Sequence, residues 1–286
     1  MLISVVVPTC NRPDSLRLCL GRLAPGFQSL PPEQYEVIVT DDGRDEAAKL
    51  LLSKHFPWAR WCPGPRRGPA SNRNSGVRNS AGDWIAFTDD DCLPCPEWLA
   101  SFADAIRSDA NGSVLEGRTT CSSGPLTSPL EDAPVNLTGG RLWSCNFCIR
   151  RTLFETVGGF DQAFPIAYME DVEFRERLLR LGETFAFIPD ATVDHPIKRY
   201  NLGTDFGRYA ESEAIYWYKQ GNTGSLFGPY LWSLIKNRTH WAVLGNGRSA
   251  SARDRLIASI IVLKELGYTA SHLRKWETQY RKSGVP

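Results

Sequence analysis

Three adjacent aspartates occupy the segment "FTDDDCLPCPEW" (residues 87–98), where an apolar strand gives out. Neighbouring carboxylates repel one another and add nothing to a core, so the cluster needs cations around it. On an extended strand end Asp89 and Asp91 point to one side and Asp90 to the other. Two carboxylates converging at about 7 Å suit a hard divalent cation, Mn2+ or Mg2+. Such an ion usually joins one or two carboxylates to substrate phosphates. A solvated acidic turn is the alternative, and the segment just upstream weighs against it. "GPRRGPASNRNSGVRNSAGD" brings Arg66, Arg67, Arg73 and Arg78 within one loop and helix of the aspartates, and the guanidinium fork is well shaped for diphosphate. Carboxylates, cation and arginines together fit a nucleoside diphosphate.

Other reactive side chains are scattered. Glu170 and Asp171 open the helix "YMEDVEFRERLLRLG", where acidic residues suit the dipole whatever else they do. His195, in "ATVDHPIK", follows the last strand candidate, with Asp194 a weaker site candidate beside it. Two Cys-x-x-Cys pairs, Cys92/Cys95 and Cys145/Cys148, raise a structural zinc site. Their separation exceeds zinc-ribbon spacing, and a strand through Cys145–Cys148 would aim its thiols to opposite faces, so these read as core or loop cysteines.

The elements that must position these groups alternate in type. "ISVVVPT" reads as a buried strand. "PDSLRLCLGRL" is a helix with Leu16, Leu20 and Leu23 on one face and Pro13 in its first turn. "YEVIVTDDG" is a second strand, "DEAAKLLLSKHF" a helix, "RWCPG" a short strand, and "WIAFT" the strand that runs into the aspartates. This order predicts a parallel sheet with helices on both faces, whose ligands sit beyond the carboxyl ends of the strands. Asp41-Asp42 and Asp89–Asp91 both fall there. Residues 113–195 add strands in "SVLEGRTT", "NFCIRR" and "TFAFIPDATV"; after about residue 199 the pattern turns helical, over 204–220, roughly 226–244, and onward from about 250.

"VVVPTCNRPDSL", "VIVTDDG", "ASNRNSGVRNSAGDWIAFTDDD", "VGGFDQAF" and "MEDVEFRERL" follow the order and spacing of family 2 inverting glycosyltransferases, which the chain resembles over roughly residues 1–196. The resemblance implies an α/β GT-A fold, a Rossmann-like, mostly parallel sheet flanked by helices. A catalytic domain would span 1–198 and a helical extension 199–286. It implies that Asp89 and Asp91 hold the metal on a nucleotide-sugar diphosphate, with Asp91 the more direct ligand and Asp89 or Asp90 reaching the ribose. Asp42, with Asp41, would read the base, usually uracil, while Thr9, Arg12, Arg73 and Asn74 line the same pocket. Asp171, with Glu170 beside it, matches the catalytic base. His195 matches a metal ligand of many relatives, and Trp143 and Asn146 match the acceptor border. The implied reaction is one in-line displacement: a carboxylate takes the acceptor hydroxyl's proton while the cation stabilises the departing nucleoside diphosphate.

Composition is that of ordinary globular material. The 286 residues are 42% hydrophobic and 23% charged, the start "MLISVVVPTC" lacks the basic n-region of a signal peptide, and no uninterrupted apolar run approaches membrane-spanning length. Eight cysteines in such a chain read as reduced thiols, which points to the cytoplasm or the inner face of a membrane. The net charge of +1 hides a contrast: 14 Lys/Arg against 6 Asp/Glu from Pro196 onward, and 19 against 26 before it. Tyr216, Trp217, Tyr218, Phe227, Tyr230, Trp232 and Trp241 stand among Lys236 and Arg238, a mixture suited to an anionic membrane surface or a lipid-linked saccharide acceptor. No nucleic-acid recognition motif accompanies the charge. Two rival functions are a non-catalytic nucleotide-sugar-binding relative and a sugar-phosphate nucleotidyltransferase. The first needs a broken site, and the second a Gly-rich loop where this chain has "PTCNRP".

Overall fold

A computed structural model describes residues 1–108, 112–222, 228–244 and 250–280, in two compact units. The first comprises Met1–Ser122, Pro134–Gln162 and Glu170–Pro196; the second comprises Ser123–Ala133, Ala163–Met169 and Ile197–Pro286. The chain passes into the second unit for the last time after Pro196, and that unit also takes in 123–133 and 163–169.

The first unit is built on strands β1 (Ile3–Thr9), β2 (Tyr35–Asp41), β3 (Arg60–Pro63), β4 (Trp84–Phe87), β5 (Leu93–Pro94), β6 (Val114–Thr120), β8 (Phe147–Arg150) and β9 (Ala186–Asp194). Their spatial order is β3-β2-β1-β4-β8-β6-β9-β5. The pairs among β1–β4 and the pair β6/β9 are parallel, while β8 and β5 run antiparallel to their neighbours. The expected mostly parallel α/β sheet is therefore present. Helices α1 (Pro13–Leu23), α2 (Ala47–His55), α3 (Pro69–Arg78), α4 (Trp98–Arg107), α5 (Arg151–Val157) and α6 (Glu170–Arg180) flank it.

Strand alternation divides the core. Ile3, Val5 and Val7 join Leu16, Leu20 and Leu23 of α1 on one face; Val6 joins Ala70 and Val77 of α3 on the other. The approach of α3 requires Gly76, because a Cβ there would lie 2.3 Å from Val6 Cγ1. Register then gathers the strand ends: Thr9 pairs with Asp41 and Val6 with Phe87, so β1, β2 and β4 deliver Thr9, Asp41-Asp42 and the aspartates to one rim. Leu93 of β5 pairs with Asp194 of β9, which brings the residues before β5 to those after β9.

The second unit holds helices α7 (Phe206–Lys219), α8 (Pro229–Leu244) and α9 (Ala252–Tyr280), with a short pair of β7 (Glu131–Asp132) and β10 (Lys198–Arg199). By length and composition α9 could cross a membrane, yet Ala258, Ile261, Val262, Glu265, Thr269, Leu273 and Trp276 are buried along one of its faces. The aromatics expected at a membrane surface have mostly gone inward. Tyr218 and Tyr230 are buried, Tyr216, Trp217 and Trp241 are half-buried, and Trp232 is exposed. Phe227 lies outside the described residues.

Candidate active site

The three aspartates do not continue the strand. β4 ends at Phe87, and a turn closed by Cys92 N–H donating to the Asp89 carbonyl (3.1 Å) fans the carboxylates apart. Asp89 turns to one arginine, while Asp90 and Asp91 share another. Asp89 Oδ1 accepts from Arg73 at 2.6 Å. Asp90 is buried, accepting from the Thr9 hydroxyl at 2.7 Å and pairing with Arg12 at 2.8 Å. Arg12 also clasps Asp91 Oδ2. Burial pushes Asp90 up to about 7, against the pull of Arg12 and Thr9.

Asp91 Oδ1 has no hydrogen-bond partner although it is buried, and it lies 3.6 Å from His195 Nε2. His195 Nδ1 sits 2.8 Å from the Pro196 carbonyl. A carbonyl only accepts, so Nδ1 carries a proton, and in the neutral ring Nε2 presents its lone pair toward Asp91. The ligating atoms of Asp91, Cys92 and His195 lie within 4.8 Å of one another. Burial raises the Cys92 thiol well above its ordinary range, which leaves the carboxylate and imidazole as the better donors. An orphaned carboxylate oxygen beside an imidazole lone pair fits a divalent cation, and nitrogen with oxygen suits Mn2+ at least as well as Mg2+. Asp89, expected beside Asp91 on the ion, is instead turned to Arg73.

Arg73 is the main departure from expectation. It does not line an open pocket: it is 1% exposed and donates to Asp89 and, at 2.9 Å, to Glu170 Oε1. One guanidinium fork thus ties the acidic turn to the first residue of α6. Packing fixes that helix from the other side. Phe174 stacks near Phe160 (centroids 4.7 Å apart), and Arg177, paired with Glu173, donates to the Val157 and Gly159 carbonyls. Burial, together with the neighbouring Asp171 charge, pushes Glu170 up to about 8, against the pull of Arg73. Asp171 Oδ2 accepts from Ser144 N–H at 3.3 Å, and burial raises its carboxyl above the ordinary range too.

Glu116, which sequence reasoning passed over, orders the chain leading to Ser144. Its buried carboxylate accepts from Asn136 Nδ2 and from the N–H groups of Gly140, Arg141 and Leu142. Trp143, next in line, is half-buried, its indole N–H 3.4 Å from the Val135 carbonyl.

Three expected ligands have structural tasks instead. Asn74 spends its amide on both backbone groups of Phe160 (2.7 and 2.9 Å). Asn146, 1% exposed, accepts from Trp98 Nε1 and donates to the Arg118 and Ala191 carbonyls. Asp41 is buried, bound to Gly43 N–H and Trp61 Nε1. Asp42 is half-buried and accepts from Arg66 and Gly68 N–H, which shapes the 66–68 loop, while burial raises its carboxyl. Asn72 was not singled out, yet it ties the Thr9 and Thr40 carbonyls together and leaves its own Oδ1 buried and unpartnered at the same rim. The eight cysteines are free thiols, with Cys92, Cys145 and Cys148 buried.

The sequence and the fold are similar to those of several known proteins. The chain is 27% identical over 223 residues to an uncharacterized glycosyltransferase of Haemophilus influenzae, covering 71% of this chain and 72% of that one. It is 30% identical over 213 residues to the pre-mycofactocin glycosyltransferase of Mycobacterium tuberculosis, covering 68% of this chain and 42% of the relative. Among solved structures, S. aureus TarS 1–349 superposes with a TM-score of 0.58 at 18% identity, over 99% of this chain and 92% of TarS. The mannosyltransferase PcManGT of Pyrobaculum calidifontis, solved with GDP-Man and Mn2+, gives 0.53 at 18% identity, over 99% of this chain and 85% of its own. These neighbours share the GT-A fold. The model of glycosyl transferase family 2 matches residues 4–168, and the chain belongs to that family.

Proposed function

We propose that the protein transfers a hexose-type sugar from a nucleoside-diphosphate sugar, first among them a UDP-sugar, to a hydroxyl of a saccharide or lipid-linked saccharide, with inversion. The observation that carries this reading is the Arg73 bridge, which holds the acidic turn and the Glu170-Asp171 helix start one guanidinium apart. Displacement needs both ends: a site for the departing diphosphate and a base for the incoming hydroxyl. Asp91 and His195 would hold a divalent cation, Mn2+ or Mg2+, which when bound supplies positive charge for the diphosphate leaving group. Asp171 takes the acceptor proton, its basicity raised by burial and its orientation set by Ser144 N–H. Arg73 and Glu170 position it. Thr9, Arg12, Asp42 and Asp90 remain the candidates for the nucleotide, and Trp143 for a stacking face on the acceptor. TarS has been solved with UDP-GlcNAc and with UDP, which favours uridine as the first nucleotide to try.

The test is thermal denaturation with UDP, GDP and dTDP, with and without Mn2+, on wild type and Asp91→Ala. A rise in melting temperature with UDP that requires Mn2+ and vanishes in the variant supports the reading. No rise with any nucleotide overturns it; a rise with GDP or dTDP alone keeps the transferase and replaces uracil.

A further inference from the structure

α9 carries two apolar stripes where a surface helix of a globular unit needs one. Its inner stripe, including Ala258, Ile261, Leu273 and Trp276, is buried in the core of the second unit. On the opposite side, at i, i+4, i+7 spacing, run Leu256, Ile260 and Leu263; Leu256 is 62% and Leu263 70% exposed. Gly267 and Ala270 continue the uncharged track. Single exposed leucines are ordinary, whereas a stripe along several turns of one helix is a docking surface.

Charge decides what docks there. Arg253, Lys264 and Lys275 are exposed along one edge of the stripe. The two carboxylates of α9 up to that point are engaged elsewhere: Asp254 with Arg199 and Ser128, and buried Glu265 with Arg238. The region from Pro196 onward carries 14 cationic against 6 acidic side chains. A second copy presenting the same face would set cations against cations, which disfavours a twofold contact. Leucine and isoleucine edged by arginine and lysine, with no unpaired acid over residues 252–275, match the headgroup boundary of an anionic bilayer. We propose that α9 lies on an anionic lipid surface through Leu256, Ile260 and Leu263, with Arg253, Lys264 and Lys275 against the headgroups. The buried inner stripe keeps the helix in its unit, so it rests on the bilayer and does not cross it.

The test is flotation of the full chain with vesicles of equimolar phosphatidylglycerol and phosphatidylcholine, against phosphatidylcholine alone, in low and high salt. The protein floats with the anionic vesicles in low salt and drops to background in the other conditions. Leu256→Glu with Leu263→Glu lowers the partition coefficient at least about tenfold with unchanged melting, since both side chains already meet water. Arg253→Gln, Lys264→Gln and Lys275→Gln together lower it at least about tenfold. Absence of flotation, or flotation that the leucine variant leaves intact, overturns the proposal. So does a dimer in sedimentation equilibrium that the leucine variant dissociates, which assigns the face to a second copy.

Discussion

Each unit contains an arginine held between two carboxylates, and the two arrangements differ in completeness. In the second unit Arg238 Nε donates to both oxygens of Glu265 (3.0 and 2.9 Å) and its NH2 group to Glu213 (2.7 Å), which also accepts from the Tyr168 hydroxyl. In the first unit Arg73 joins Asp89 and Glu170, but Arg73 Nε, Glu170 Oε2 and, in the same acidic turn, Asp91 Oδ1 are buried without partners. Buried polar atoms are normally satisfied, and the open network is the one proposed above to face a substrate. The Arg238 network holds helices together. The Arg73 network holds the carboxylates at which the donor and acceptor are proposed to meet.

The sharpest way to break this contrast is to remove the proposed base. Asp171→Asn keeps the shape and one of the two backbone hydrogen bonds (from Ser144 and Val172 N–H) but cannot take a proton, and is expected to lower kcat by about 10^2–10^4-fold with little change in UDP-dependent melting. A rate within a few-fold of wild type removes Asp171 from the chemistry. The wild-type rate also has a signed pH dependence. Because burial raises the Asp171 carboxyl, the base is ionised only above the ordinary carboxylate range, and kcat/KM rises with pH along a limb displaced upward from about 4. Glu213→Gln, in the closed network, leaves that limb where it is.

Next in size is the paired removal of the arginines. Arg73→Met and Arg238→Met each leave two carboxylates uncompensated and are expected to cost about 3–5 kcal/mol in denaturant unfolding. Adding Glu170→Gln to the first and Glu265→Gln to the second recovers part of that loss in both. The networks then part ways: the repaired Arg238 variant turns over at nearly the wild-type rate, and the repaired Arg73 variant does not. Equal activity in the two would mean that Arg73 is structural in the same sense as Arg238.

How far the sequence reveals this contrast depends on the range of each interaction. β1, β2 and β4 and the helix α1 were legible because period and residue type act over a few neighbours, and Ile3–Thr9 came out with the bounds of its apolar run. The acidic residues were legible as chemistry for the same reason. Their partners were not. An arginine fork suits phosphate and carboxylate alike, so nothing local distinguishes an Arg73 that binds diphosphate from one that reaches Glu170, 97 residues on. The partners of Asn74 and Asn146 are hidden for a like reason, their amides being engaged by Phe160, Trp98, Arg118 and Ala191 across the fold. The strand ends at Phe87, two residues before Asp89, enough to replace an alternating pair of carboxylates by a turn in which Asp89 meets Arg73 and Asp90 and Asp91 share Arg12. α4, "WLASFADAIR", carries an equally local signal, with Trp98, Leu99, Phe102, Ala103 and Ala105 buried at helical spacing.

The smallest effect separates the networks through a single hydroxyl. Thr9 donates to buried Asp90 at 2.7 Å and Tyr168 donates to Glu213 at 2.8 Å. Thr9→Val and Tyr168→Phe each remove one donor to a carboxylate at nearly constant volume, and each is expected to cost about 1.5–3 kcal/mol of stability. In the closed network the loss ends there, because Arg238 still satisfies Glu213. In the open one, Asp90 loses a donor at the rim where the nucleotide is proposed to bind, so Thr9→Val also weakens UDP in an equilibrium titration, by a few-fold, while Tyr168→Phe leaves it unchanged. Equal UDP affinity in the two variants would detach Thr9 from the nucleotide and leave it a cap on a buried acid, the same role that Tyr168 plays.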